Sequence, residues 1–269
     1  LFTSLKVLII LVFIVAGFTI TPNPQQLMPY WNSLSWNDLA TPAFAVSLVF
    51  VSMAYSGWNA ATYIAGDIKN PQKILPKAIL LSTAIVTTLY LLLNYVFLYT
   101  TPIEALRGVP DVAQISATHI FGTVGGRMMS AAIAFLLIST VSAMAYVGPR
   151  VSQVMGEDTR LLHFLSYKTT SQIPIVALWL QFILSFILIM VSDLEQLIYF
   201  AGVPLNICTM LTVIGVFVHR KRFPDVFRPY KTWGYPIVPI IFLGLVLWSL
   251  IYLFQERPKE SFFGLLTVG

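Results

Sequence analysis

Charge is scarce in this chain. Of 269 residues only 10% are charged and 57% are hydrophobic, whereas a soluble domain carries about 25% charged and about 45–50% apolar residues. Too few ions remain to clothe a 30.0 kDa globule in water, which excludes a soluble enzyme and a disordered tail. Cysteine is almost missing as well. A single Cys208 excludes a disulfide-built secreted domain, and it reads as a buried small hydrophobe. Histidine is limited to His119, His163 and His219, too dispersed for a zinc site or a nucleophile–base pair. No Gly-rich Lys-Ser/Thr loop occurs, so a nucleotide-driven motor is excluded.

What the chain has instead is hydrophobicity in blocks, with a mean hydropathy of +0.81. The blocks are about 20 residues long, the length that crosses a hydrocarbon core of roughly 30 Å. They predict helices over 5–20, 43–66, 78–100, 128–149, 174–192, 196–218 and 236–255, with a partial one over 261–269. Pro22 and Pro24, Asn70-Pro71 with Pro76, Pro102, and Pro224 with Pro229 and Pro236 punctuate the connections. The first run starts almost at residue 1 and the last stops short of a crossing length. The expectation is therefore one transmembrane domain over 1–269, cut from a longer transporter-sized chain at both ends.

The net charge of +5 and pI of 9.3 raise the possibility of a nucleic-acid partner. The placement of the charges argues against it. Lys69, Lys73 and Lys77, then Arg150, Arg160 and Lys168, then Arg220, Lys221, Arg222, Arg228 and Lys231 put eleven basic residues in three alternate loops. The opposite loops hold four, Arg107, Arg127, Arg257 and Lys259. That asymmetry marks the basic loops as cytoplasmic, so the partner is a lipid bilayer and no nucleic acid is expected. Tyr30, Trp31, Trp36, Trp233 and Tyr235 fall at interfacial depths, where amphipathic rings settle.

The second span departs from a lipid-facing pattern. Its middle packs Ser52, Tyr55, Ser56, Gly57 and Asn59 into eight residues, 52–59. Gly weakens a helix, and Ser and Asn compete for its backbone hydrogen bonds. A helix broken in the membrane is tolerated where it lines a cavity, and many transporters bind substrate there. Close packing of small residues against another helix accounts for the same composition. Elsewhere Asn94 and Gln181 are expected to bond neighbouring helices, Gly202 with Pro204 to kink their helix, and 110–121 to form a short outer amphipathic helix.

Tyr55-Ser56-Gly57-Trp58-Asn59, followed by Gly66-Asp67-Ile68-Lys69-Asn70-Pro71 and Leu75-Pro76, closely resembles the sixth helix and following loop of amino acid permeases. These form the amino acid–polyamine–organocation (APC) superfamily, and the likeness is to its L-type amino acid transporter branch. Gly148-Pro149-Arg150 resembles the family's eighth-helix exit. Arg220 to Asp225, Arg228-Pro229-Tyr230 and Trp233 to Pro236 resemble its loop between helices ten and eleven. The resemblance runs from the family's fifth helix to the start of its twelfth.

The resemblance implies an all-α polytopic membrane protein with a LeuT-like inverted-repeat fold, of which this chain holds the second repeat and flanking helices. It implies no enzyme and no cofactor, but secondary active transport of an amino acid by alternating access, as proton-coupled symport or as exchange. The alternative is a non-transporting amino acid sensor on the same fold. Substrate would meet Met53, Ala54, Tyr55, Ser56, Gly57, Trp58 and Asn59. The carbonyls of Met53, Ala54 and Ser56 would face its ammonium group, which has three donors and no acceptor. Relatives usually carry an aromatic gate where this sequence has Met53. No acid lies mid-helix, which argues against a basic substrate.

Lys6 is a charge near membrane depth, and such a charge is a functional hypothesis by default. Snorkelling to the nearer interface is the other reading. The resemblance places Lys6 where sodium-coupled relatives bind a cation. It would then gain and lose a proton, or fix a charge, beside Ser139, Thr140 and Ser142. Bonding of those hydroxyls back to their own helix stands as the alternative. Protons are thus a candidate partner, a partner subunit is left open, and the compact loops point to a prokaryotic inner membrane.

Overall fold

The structure, a computed structural model, describes residues 2–25, 35–59, 61, 65, 68–170, 172–228 and 230–267. Tyr30, Trp31, Gly66, Asp67 and Pro229, singled out above, lie outside them. The helices are α1 (Phe2–Ile20), α2 (Trp36–Leu39), α3 (Pro42–Ala54), α4 (Pro71–Thr100), α5 (Ile103–Leu106), α6 (Val112–Asp158), α7 (Ile175–Val191), α8 (Leu194–Arg222), α9 (Ile237–Glu256) and α10 (Pro258–Leu266). Single 3₁₀ turns cover Ser56–Asn59 and Arg160–Ser166. Among the described residues α1, α4, α6, α8 and α9 are long and apolar enough to cross a membrane, and α7 is a shorter apolar helix. The protein is an all-α, multi-pass membrane protein.

Three boundaries differ from the expected ones for identifiable reasons. The second span is α-helical only to Ala54, because the polar stretch that follows it turns into 3₁₀ geometry. Helix α4 starts at Pro71, not at 78, since proline is well suited to the first helical position. The preceding Asn70 adopts φ 53°, a left-handed turn that Asn tolerates. Helix α6 is kinked at Gly122, whose non-helical φ of 76° ends a short helix, as expected over 110–121, before the fourth span begins. It also runs through Gly148-Pro149 to Asp158, so that motif lies inside the helix and not at its exit.

The chain divides into two compact units, residues 1–34 with 80–178, and residues 35–79 with 179–269. In the first, Phe13, Ile14, Ala16, Leu89, Val96, Ala117 and Ile120 form the core. Gly17 lets α1 approach α4, since a Cβ there would collide with Val96. The buried hydroxyls of Thr100, Thr101 and Ser116 bond one another, with Thr101 Oγ1 donating to Ser116 Oγ at 3.0 Å. Gly156 sits against the 3₁₀ turn, where a Cβ would lie 2.7 Å from Leu162 O.

In the second unit, α3, α8 and α9 pack around Val49, Tyr199, Val203 and Leu253. Gly202 does not act by kinking its helix alone: its missing side chain is what admits Val49 of α3. Pro204 has no N–H to give Phe200 O, and Gly264 of α10 closes against that carbonyl, leaving 2.6 Å for any added Cβ. Ser249 Oγ of α9 donates to Ala45 O of α3 at 2.9 Å inside the core. Cys208, expected to be buried, is exposed. The buried face of α8 runs through Tyr199, Gly202, Val203 and Asn206, and two residues beyond Asn206 the helix has turned about 200° away. Asn94 bonds its own helix, donating to Tyr90 O at 2.8 Å, in place of the expected neighbour. A side chain one turn from an i−4 carbonyl reaches it without any partner helix.

Candidate functional site

Helix α3 breaks off where its sequence turns polar. Tyr55 leaves helical geometry at φ −100° and ψ 8°, still donating its N–H to Val51 O. The Ser56 hydroxyl then donates to Met53 O at 2.8 Å, a side-chain bond back to the helix end. Residues Ser56–Asn59 continue as a 3₁₀ turn, the tighter geometry typical of helix ends. Gly57 is not held by packing, since a Cβ built on it would meet no atom within 4 Å. Among the described residues, then, no neighbouring helix packs against Gly57.

Beside the break lies a cavity of about 100 Å³. Pockets for drug-sized ligands run to roughly 300 Å³ or more, so only a small ligand or part of one fits. Tyr55, Ser56, Trp58 and Asn59 line it, while Met53, Ala54 and Gly57 do not. The expected carbonyl cluster is correspondingly less open than the sequence implied, because Met53 O already accepts from Ser56. Ser52, from the polar stretch, lines it too, and the structure adds residues that sequence reasoning passed over: Leu205, Asn206 and Thr209 on α8, and Phe242 on α9. The available signal was the polar pair Asn206 and Thr209 at i, i+3 within an apolar helix.

The direction of the hydrogen bonds gives this cavity its chemistry. Ser56 Oγ donates to Met53 O, Asn206 Nδ2 to Gly202 O at 2.9 Å, and Thr209 Oγ1 to Leu205 O at 2.7 Å. The hydroxyl protons of Ser56 and Thr209, and one amide proton of the buried Asn206, are thus spent on the main chain. What Ser56, Thr209 and Asn206 retain for the cavity is mainly acceptor oxygen. Three acceptor oxygens, on Ser56, Asn206 and Thr209, can receive a donor-only cation, while Ser52, Tyr55, Trp58 and Asn59 add groups able to donate.

In the first unit, Lys6 Nζ donates to Thr140 Oγ1 at 2.7 Å. Lys6 is half-buried and stands with Thr140 and Tyr90 on the wall of a cavity of about 450 Å³, otherwise lined by apolar side chains such as Ile10, Phe13 and Phe97. The amine is held by the facing helix α6. Of the three hydroxyl residues named with it, only Thr140 reaches Lys6. Ser139 and Ser142 make no bond to it among the described residues, because Ser142 lies about 200° round the helix from Thr140 and Ser139 about 100°.

The model of the family described as amino acid permease matches residues 1–262. The chain is 28% identical over 202 residues to the serine/threonine exchanger SteT of Bacillus subtilis (strain 168), covering 74% of this chain and 46% of that one. It is 27% identical over 253 residues to the human b(0,+)-type amino acid transporter 1, covering 91% and 50%. It is 24% identical over 270 residues to the mouse Asc-type amino acid transporter 1, covering 99% and 50%. The chain spans about half the length of the curated relatives it matches. These relatives carry the names of exchangers and transporters, not of enzymes. With a family match over nearly its whole length, the chain belongs to the amino acid permease family of the APC superfamily.

Proposed function

We propose that the protein carries out secondary active transport of a small neutral amino acid by alternating access, with the broken end of α3 at the substrate site. The observation that carries this reading is the cavity of Ser56, Asn206 and Thr209, whose polar groups are turned to accept. An α-ammonium group supplies three donors and no acceptor. The small volume and the lack of an acid among the lining residues favour a short, uncharged side chain, in keeping with a relative named as a serine/threonine exchanger. Trp58 and Phe242 supply the apolar walls.

The finer assignment goes with it. The chain corresponds to the family's fifth helix through the start of its twelfth in a LeuT-like inverted-repeat fold, on the L-type branch, in a prokaryotic inner membrane with the three basic loops cytoplasmic. Lys6, held by Thr140, is the coupling charge, and a proton is the coupled ion.

The test is uptake of a radiolabelled amino acid panel into proteoliposomes containing the full-length protein, with and without an imposed pH gradient. Saturable uptake that responds to the gradient is the expected result. Uptake that requires internal counter-substrate and ignores pH would make the protein an exchanger and reduce Lys6 to a structural charge. Binding without movement would make it an amino acid sensor.

A further inference from the structure

We propose that the loop joining α8 to α9 is a binding site for the phosphate headgroup of an anionic phospholipid, independent of the substrate site. Both flanking helices are long and apolar enough to cross the membrane, so residues 223–236 lie at one bilayer face. From Arg220 to Lys231 the chain carries Arg220, Lys221, Arg222, Arg228 and Lys231 against one acid, Asp225.

The structure divides these cations into two jobs. Arg228 donates to the carbonyls of Phe223, Pro224 and Val226, so its guanidinium folds the loop over the end of α8. Arg220 lies over the Tyr235 ring, 3.8 Å from its centroid, and ties the end of α8 to the entry of α9. Lys221, Arg222 and Lys231 are left exposed, and among the described residues no carboxylate pairs with them. Among the described residues they form a positive rim that no salt bridge neutralises.

Apolar surface accompanies the rim. Phe227 is 83% and Trp233 84% exposed. Val226, Phe227 and Tyr230 also form one wall of a groove of about 430 Å³ whose other wall is Pro71, Leu75 and Pro76 at the start of α4. A free phosphate has no use for this apolar surface, while water alone makes it costly. A phospholipid matches both parts. Its phosphate meets the lysines and arginine, and the glycerol and first methylenes lie along the groove and the two rings. Polybasic segments at a membrane edge attract anionic lipid in this way, and aromatic rings settle at headgroup depth.

The experiment uses the full chain in nanodiscs of phosphatidylcholine, into which brominated phosphatidylglycerol or brominated phosphatidylcholine is titrated while tryptophan fluorescence is read. The expected result is stronger quenching by the anionic lipid, with the excess removed by Trp233→Phe. The triple variant Lys221→Gln/Arg222→Gln/Lys231→Gln should need about a hundredfold more anionic lipid for half-quenching. Lys221→Arg/Lys231→Arg should behave like the parent, which separates loss of charge from misfolding. Equal quenching by the two lipids would overturn the proposal. So would a triple variant that binds like the parent, or displacement of the brominated lipid by inorganic phosphate alone, which would make this a free-anion site.

Discussion

Lys6 and Thr140 are 134 positions apart in sequence, yet the lysine ammonium donates to the threonine hydroxyl at 2.7 Å. The bond joins α1 to α6 at the edge of a cavity of about 450 Å³. The one cation in the apolar run of α1 is therefore oriented by a neutral acceptor, with no carboxylate beside it among the described residues.

Lys6→Ala should lower pH-gradient-driven uptake about tenfold or more, equivalent to ~1.4 kcal/mol or more, while exchange of labelled for unlabelled substrate persists. Thr140→Val, which keeps the shape and removes the acceptor, should shift the same ratio in the same direction. Unchanged gradient-driven uptake in Lys6→Ala would remove the residue from the coupling mechanism.

Loss of a cavity acceptor should appear in affinity. Hydrogen bonds to charged groups are worth about 1.5–3 kcal/mol, so Asn206→Leu should weaken substrate binding by roughly tenfold to a hundredfold. Thr209→Val, which removes one acceptor oxygen and keeps the side chain's shape, should weaken it in the same direction. Binding isotherms of the purified variants with the best substrate of the panel decide this, and a variant that binds as the parent does would move the substrate elsewhere.

Gly202 and Gly57 should respond oppositely to an added methyl group. A Cβ on Gly202 runs into Val49, so Gly202→Ala should destabilise by about 1–3 kcal/mol, and Val49→Ala in the same chain should recover part of the loss. Gly57 has open space beside it, so Gly57→Ala should leave thermal stability unchanged or raise it by about 0.4–1 kcal/mol. Thermal unfolding of the detergent-solubilised variants reads both. A large loss at Gly57 would contradict the open break.

The Ser249 hydroxyl reaches Ala45 O across 2.9 Å in the core of the second unit. Interhelical hydrogen bonds in membrane proteins average about 0.6 kcal/mol, so Ser249→Ala should cost about that much in unfolding free energy and leave uptake intact. A loss of uptake at unchanged stability would mean that the contact between α3 and α9 takes part in the transport cycle.

Much of this protein follows from its sequence alone, because the bilayer reduces the choices. Apolar blocks of about 20 residues must become helices when no water is present to satisfy the backbone, so the all-α, multi-pass class was readable from hydropathy. The break after Ala54 was readable too, since Ser, Gly and Asn in one short stretch weaken a helix wherever it sits. Local chemistry failed where a helix had two acceptable ends. Pro71 and Pro76 look like breakers, but the first occupies the one helical position that suits proline, and Gly148-Pro149 marks an exit only if the next turn is not helical. Which side chains meet was decided by tertiary structure. That Thr140 and not Ser139 or Ser142 holds Lys6, that Asn206 and Thr209 complete the cavity, and that Cys208 faces outward all depend on the rotation of one helix against another. Composition sets the fold class by the cost of unsatisfied backbone, whereas rotational phase is set by contacts such as Gly202 on Val49 that hydropathy does not encode.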